Sequence, residues 1–313
     1  MSRTMSRFTL LLAGLLLAAP VVGSAPKPRA PEAPPVPLLW KVSDADSSLY
    51  LLGSFHLLAK SDYPLSQDVD RAFKDAESLV FEVAPDDLDD PGVTAKMLAL
   101  ASSDAGSSLA RVTPPDLAPA LASRLAAFGL PAERMAAFEP WFVDTMLVTV
   151  LGQRAGYAPK DGLDRVLMAR AKAAGKPARG LETVDQQLAT LDSTPLAEQV
   201  ASLREFVEEG EGAEAKLAAL HAAWRSADLT ALETMTREEM RERTPVTYQR
   251  LNVDRNRAWV PQLERMLADG RDHDVLVVVG ALHLLGDDGV VSLLRARGYR
   301  VERICSACTP PRR

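Results

Sequence analysis

Several of the residues and patterns that protein chemistry commonly relies on are scarce in this chain. With 2 Cys in 313 residues there is neither a disulfide scaffold nor a Cys-rich zinc fold. Lys plus Arg number 36 against 42 Asp plus Glu, a net charge of −6, so the chain has no basic surplus for nucleic acid or another polyanion. No His-Glu-x-x-His zinc-protease signature occurs. The acidic stretch Asp86-Asp87-Leu88-Asp89-Asp90 lacks the spaced glycine and terminal glutamate of an EF-hand loop, and reads as a solvated loop capping the next helix. Only 4 His are present, so each can be located before any chemistry is assigned.

What is present is enough for a folded core: 47% of residues are hydrophobic and 25% charged. Arg3 and Arg7 precede an apolar run from Phe8 to Ala19, and Val22-Gly23-Ser24-Ala25 follows, the pattern of a cleaved signal peptide over residues 1–25. The run of 12 residues is shorter than the roughly 18 expected of a membrane span. An uncleaved signal segment is therefore the one expected route to a membrane, and the expected location is periplasmic or secreted. Six prolines fall between Ala25 and Pro37, which predicts an extended linker over 26–37. A single folded unit is expected over 38–304 and a short tail over 305–313.

Two apolar stretches, Leu38 to Val42 and Ser48 to Gly53, flank a polar turn and predict a β-hairpin. Ser66 to Ala76 has helical spacing, and Ser78 to Val83 reads as a buried strand. The middle, about 93–269, is Ala- and Leu-rich and helical in pattern, with one short strand expected at Lys176 to Gly180. Strand, loop, helix and strand return from Asp274 to Ile304. The expected fold class is α/β: a small central mixed sheet from two similar strand–GxxH–helix–strand units, with a large helical insertion between them.

Those units match in detail. Leu-Leu-Gly53-Ser-Phe-His56-Leu-Leu corresponds to Val-Val-Gly280-Ala-Leu-His283-Leu-Leu, which places two of the four histidines at equivalent positions. A loop at the carboxyl end of a strand is where α/β sheets place ligands, and a pseudo-twofold relation would bring both rings to one cleft. A lone histidine there is more simply a structural residue; the pairing favours a site. Glu82 ends the strand after the first motif among Val80, Phe81 and Val83, where a carboxylate is costly unless paired or metal-bound. Two His and one carboxylate form a recurring ligand set for catalytic divalent metals. A salt bridge or helix cap is the other reading of Glu82.

The chain resembles the TraB/GumN family, within a wider superfamily that includes the Tiki metalloproteases. The resemblance rests on Leu39-Trp40-Lys41-Val42, Gly53 to His56, Tyr63-Pro64-Leu65, Phe81-Glu82-Val83, Gly162-Leu163-Asp164 and Gly180-Leu181-Glu182-Thr183. Gln187-Leu188, Arg255-Asn256, Gly280 to Leu284, Gly289 and Gly298-Tyr299 continue it in order. It implies an α/β fold with a helical insertion and a metal-dependent hydrolase site built from His56, His283 and Glu82. It also implicates Arg255, on a helix expected from Thr247 to Leu267, as an oxyanion or carboxylate partner; a surface pair with Asp254 is the alternative. Asp161, Asp164 and Glu182 rank first as helix caps and first-turn residues.

The expectation is thus an exported hydrolase of a peptide or small amide or ester, with a Mn, Co or Zn ion activating water. Two alternatives use the same cleft. One is a non-catalytic peptide- or haem-binding protein; the other is a metal-independent hydrolase, like the related erythromycin esterases, with a His as general base. His221 reads as a helix-face residue and His273 as a turn residue. Cys305 and Cys308, the only pair in an exported chain, read as a local disulfide.

Overall fold

A computed structural model describes residues 33–102, 106–269 and 273–308. The expected signal peptide and most of the Pro-rich segment lie outside the described residues. Six strands, β1 (Leu39–Ser43), β2 (Ser48–Ser54), β3 (Ser78–Val83), β4 (Ala178–Glu182), β5 (Val275–Gly280) and β6 (Arg300–Ile304), form one sheet in the order β4-β3-β5-β2-β1-β6. Only β1 runs against the others, so the sheet is mixed with a parallel centre. The β1–β2 hairpin turns where Asp44 Oδ1 accepts the Ser47 N–H at 2.9 Å, the local bond that makes such polar clusters turn. The Val-rich β5 is held between β3 and β2 and buried along its length, as a central parallel strand requires.

The expected α/β class and its two units are both present. In the first, β2 leads through α1 (Gln67–Asp75), capped by Ser66, to β3; in the second, β5 leads through a Val290–Ala296 helix to β6. Between them lie the longer helices α2 (Pro140–Arg154), α3 (Leu163–Ala173), α4 (Val184–Asp192), α5 (Leu196–Glu209), α6 (Gly212–Ser226) and α7 (Arg255–Asp269), with β4 between α3 and α4.

The two units share the centre of the sheet. β2 and β5 are adjacent and parallel, with Ser54 opposite Gly280. Parallel neighbours run the same way, so both G-x-x-H loops leave the sheet at the same edge. The short strand expected at Lys176 to Gly180 falls at Ala178–Glu182, because pairing of Phe81 with Gly180 and Val83 with Glu182 carries it on to Glu182. The helix expected from Thr247 runs into a π-helical turn over Gln249–Asp254 before α7 begins.

The last linker residues lie on the domain rather than away from it. Val36 N–H donates to Arg225 O at 2.8 Å and Arg225 Nη2 donates to Ala33 O at 2.6 Å. At the other end Cys305 and Cys308 form the expected disulfide, and Ser306 between them donates N–H and Oγ–H to buried Asp68 at 2.7 and 2.6 Å. Among the described residues no helix is long and apolar enough to cross a membrane.

Candidate active site

The carboxyl ends of β2, β3, β4 and β5 meet at one edge of the sheet, and each delivers a side chain. Gly53 lets the two motif loops touch: a Cβ there would lie 3.0 Å from Leu38 Cβ and 3.2 Å from Ala281 Cα. Two residues beyond β2, His56 places Nδ1 2.8 Å from Asp164 Oδ1. Asp164 reaches it because α3 starts against the His56 backbone, where a Cβ on Gly162 would fall 2.3 Å from His56 O. Burial works to lower the His56 pKa, but the charge and hydrogen bond of Asp164 outweigh it and push it up to about 9. Nε2 faces a cleft, with no hydrogen-bond partner among the described residues.

The second histidine is held in the opposite state. His283 sits on a 3-10 turn, Ala281–Leu284, and its Nδ1 is 2.7 Å from Asn256 Oδ1. Asn256 Nδ2 donates to Asp288 O at 2.9 Å, which leaves Oδ1 to accept and fixes the His283 proton on Nδ1. Nε2 then accepts from Arg255 Nη1 at 3.1 Å. Burial, with Trp259 packed at 4.5 Å between ring centres, and next the Arg255 charge push the His283 pKa down to about 3.

Glu82 is buried, with both oxygens occupied. Oε1 accepts Gly280 N–H at 2.7 Å; Oε2 accepts Arg255 Nη2 at 2.6 Å and Gln187 Nε2 at 3.2 Å. Burial opposes ionisation, but Arg255, His56 and the Gly280 N–H hold the carboxyl well below the usual range. Arg255 also donates to both oxygens of Glu182 and, through Nη1, to Leu251 O at 3.1 Å. All its N–H groups are therefore in use. At Glu182 burial outweighs Arg255 and raises the pKa. The surface pair between Arg255 and Asp254 does not form; Gln249 Nε2 donates to Asp254 at 2.7 Å instead.

His56, Glu82, Arg255 and His283, singled out in the sequence, thus stand together. Asp164 and Glu182, read first as helix residues, join them, as do Gln187 and Asn256, to which no chemistry was assigned from the sequence. His221 stands apart: it is buried, with Nε2 3.0 Å from both Asp62 oxygens and Nδ1 3.2 Å from Tyr157 Oη, so it is a hydrogen-bonded core residue rather than a plain helix face. His273 Nε2 contacts Ser78 Oγ at 3.0 Å, and Asp161 is engaged through its carbonyl, which accepts from Tyr63 Oη at 2.7 Å.

The donor set can be tested against a divalent ion. A Cβ built on Gly280 would lie 3.2 Å from Glu82 Oε1, 3.5 Å from His56 Nε2 and 3.6 Å from His283 Cδ2, so these three side chains border one small space. Each histidine is oriented at Nδ1 by an oxygen, the outer-shell arrangement of metal-binding imidazoles. His283 Nε2 and Glu82 Oε1 are 3.8 Å apart. By donor chemistry and orientation these residues fit a divalent ion. Among the described residues no three donors are grouped closely enough to hold it as they stand, and Arg255 occupies the lone pair of His283.

Above this space a cleft opens to solvent. Comparison with known proteins is consistent with the site's motifs. No curated protein and no solved structure matches the chain. The sequence pattern of one family matches residues 38–303, from the first residues of β1 to the end of β6 and across every strand end that builds the site; the chain belongs to the TraB/PrgY/gumN family.

Proposed function

We propose that this chain is a metal-dependent hydrolase of amide or ester bonds, peptidase-like in substrate, acting outside the cytoplasm. The observation that carries this reading is the convergence of His56, Glu82 and His283 on the space over Gly280. The N-terminal signal pattern and the Cys305–Cys308 disulfide support the location. Bound there, a Mn, Co or Zn ion would polarise the scissile carbonyl and acidify water.

The chain's own residues divide the remaining work. His283 is neutral and Glu82 ionised at neutral pH, the states ligands require, whereas His56, held protonated by Asp164, would have to release its Nε2 proton as an ion binds. Gln187, the Gly280 N–H and Arg255 fix the Glu82 carboxylate. With an ion held by His283 Nε2, Arg255 Nη1–H would be the free donor that a developing oxyanion needs.

One observation favours a second reading. The His56–Asp164 pair presents a protonated Nε2 to the cleft, ready to give its proton to a leaving amine or alcohol with no metal involved. The test is elemental analysis and turnover of peptide anilides and p-nitrophenyl esters before and after chelation. His56→Ala and His283→Ala should both lose metal and turnover while staying folded. Full metal content in both variants overturns the ligand assignment, and chelator-resistant turnover selects the second reading.

A further inference from the structure

The polarity of the cleft is sharply divided. Its floor holds every charged or imidazole side chain that lines it: His56, Glu82, Arg255 and His283. Of the rest, Phe55, Leu191, Leu220, Leu232, Met240 and Leu251 form apolar walls, and the polar members, Ser54, Gln187, Thr190 and Thr236, are all uncharged. A charged group against these walls would lose water and find no countercharge. An aliphatic group gains about fourfold in binding for each methylene removed from water.

These walls are built, not incidental. Leu232, Thr236 and Met240 follow one another along a helical segment with a π-turn over Thr234–Glu238. That segment is tied to the loop after His283: Arg237 Nε donates to Asp288 Oδ1 at 3.0 Å, and Gly286 N–H donates to Glu233 Oε1 at 3.1 Å. The apolar wall is therefore held in register with the catalytic floor.

We infer that the cleft takes an uncharged aliphatic group attached beside the scissile carbonyl: the acyl chain of an ester or amide, or the side chain of an aliphatic amino acid. The inference rests on the hydrolase reading for the bond that is cut, but not for the group that is held.

Calorimetry with acetamide, hexanamide and 6-aminohexanamide reads the held group without turnover. Hexanamide should bind more than about 100-fold tighter than acetamide, four methylenes apart, and 6-aminohexanamide should fall back towards acetamide. Equal affinities, or no hexanamide binding up to its solubility limit, overturn the inference. Turnover of p-nitrophenyl acetate through octanoate, and of N-acetyl leucine, lysine and glutamate anilides, reads the bond and the source. Faster hexanoyl than leucyl cleavage identifies an acyl chain, and the reverse a side chain. Chain-length-dependent binding with no cleavage of any substrate leaves the inference standing and removes the hydrolase reading. Cleavage fastest for acetyl and glutamyl substrates does the opposite. Leu232→Phe and Met240→Phe should move the preferred chain to a shorter length; an unchanged preference in both overturns the wall assignment.

Discussion

Arg255 donates Nη1–H to the Nε2 of His283 across 3.1 Å, so a cation already sits on the lone pair that a metal ion would use. The next residue on the same helix, Asn256, fixes the other side of the ring. Two consecutive residues of α7 therefore set both the tautomer and the partner of one histidine 27 residues further on.

Asn256 is a positioning residue, and its removal should separate geometry from fold. Asn256→Leu leaves His283 Nδ1 and Asp288 O without their partner. Loss of such an outer partner commonly lowers metal affinity or activity by about 10–100-fold. The expected result is that loss in both, with near-native circular dichroism; Asn256→Gln, one methylene longer, should not restore it.

The Arg255 ion network should behave as one unit. Arg255→Met leaves Glu82 and Glu182 buried without their cation. Breaking a buried pair from one side costs about 3–5 kcal/mol, so the variant should unfold at much lower urea. Adding Glu182→Gln removes one stranded charge and should recover at least about 1 kcal/mol in a double-mutant cycle. Strictly additive losses would show that Arg255 and Glu182 do not depend on one another.

A buried carboxylate outside the strand-end set predicts a pH dependence of stability. Asp144 on α2 accepts from Ser202 Oγ at 3.3 Å on one oxygen, and its other oxygen has no partner among the described residues. Burial pushes its pKa up to about 7 from 3.8. The native state thus holds a proton that the unfolded chain releases, and stability falls as pH rises from about 4 to about 7. The full penalty, on the order of 4 kcal/mol, applies above pH 7 and is absent below pH 4. Asp144→Asn should therefore gain stability relative to wild type as pH rises from 4 to 8, as read by urea unfolding at a series of pH values.

What the sequence disclosed follows from distance along the chain. The two G-x-x-H loops were legible because each is a local strand–turn–histidine unit, and Glu82 because it interrupts an apolar strand. Arg255 was drawn to the site only through the family resemblance; its partners Glu182 and Glu82 lie 73 and 173 residues away. Asp164 looked like a first-turn acid because its role depends on α3 starting against His56, and only Gly162 hinted at that contact. The π turn before Arg255 has no counterpart in the apolar spacing, which reads as an uninterrupted helix through it.

Gly280 distinguishes what the fold needs from what the site needs. Its backbone, at φ −51° and ψ 137°, is open to any L-residue, so Ala should cost little in conformation. Its N–H bond to Glu82 is also retained by Ala. The methyl group, however, would occupy the space bordered by Glu82, His56 and His283, at 3.2 to 3.6 Å from each. Gly280→Ala should keep its unfolding midpoint close to that of wild type while losing metal uptake and more than about 100-fold in turnover, an obstruction of the kind that misplaces reacting groups. If Gly280→Ala instead binds metal like wild type, the ion does not sit over Gly280 and the ligand set must be sought elsewhere along the cleft. If it unfolds, the glycine serves the packing of the two motif loops, as Gly53 does on the neighbouring strand.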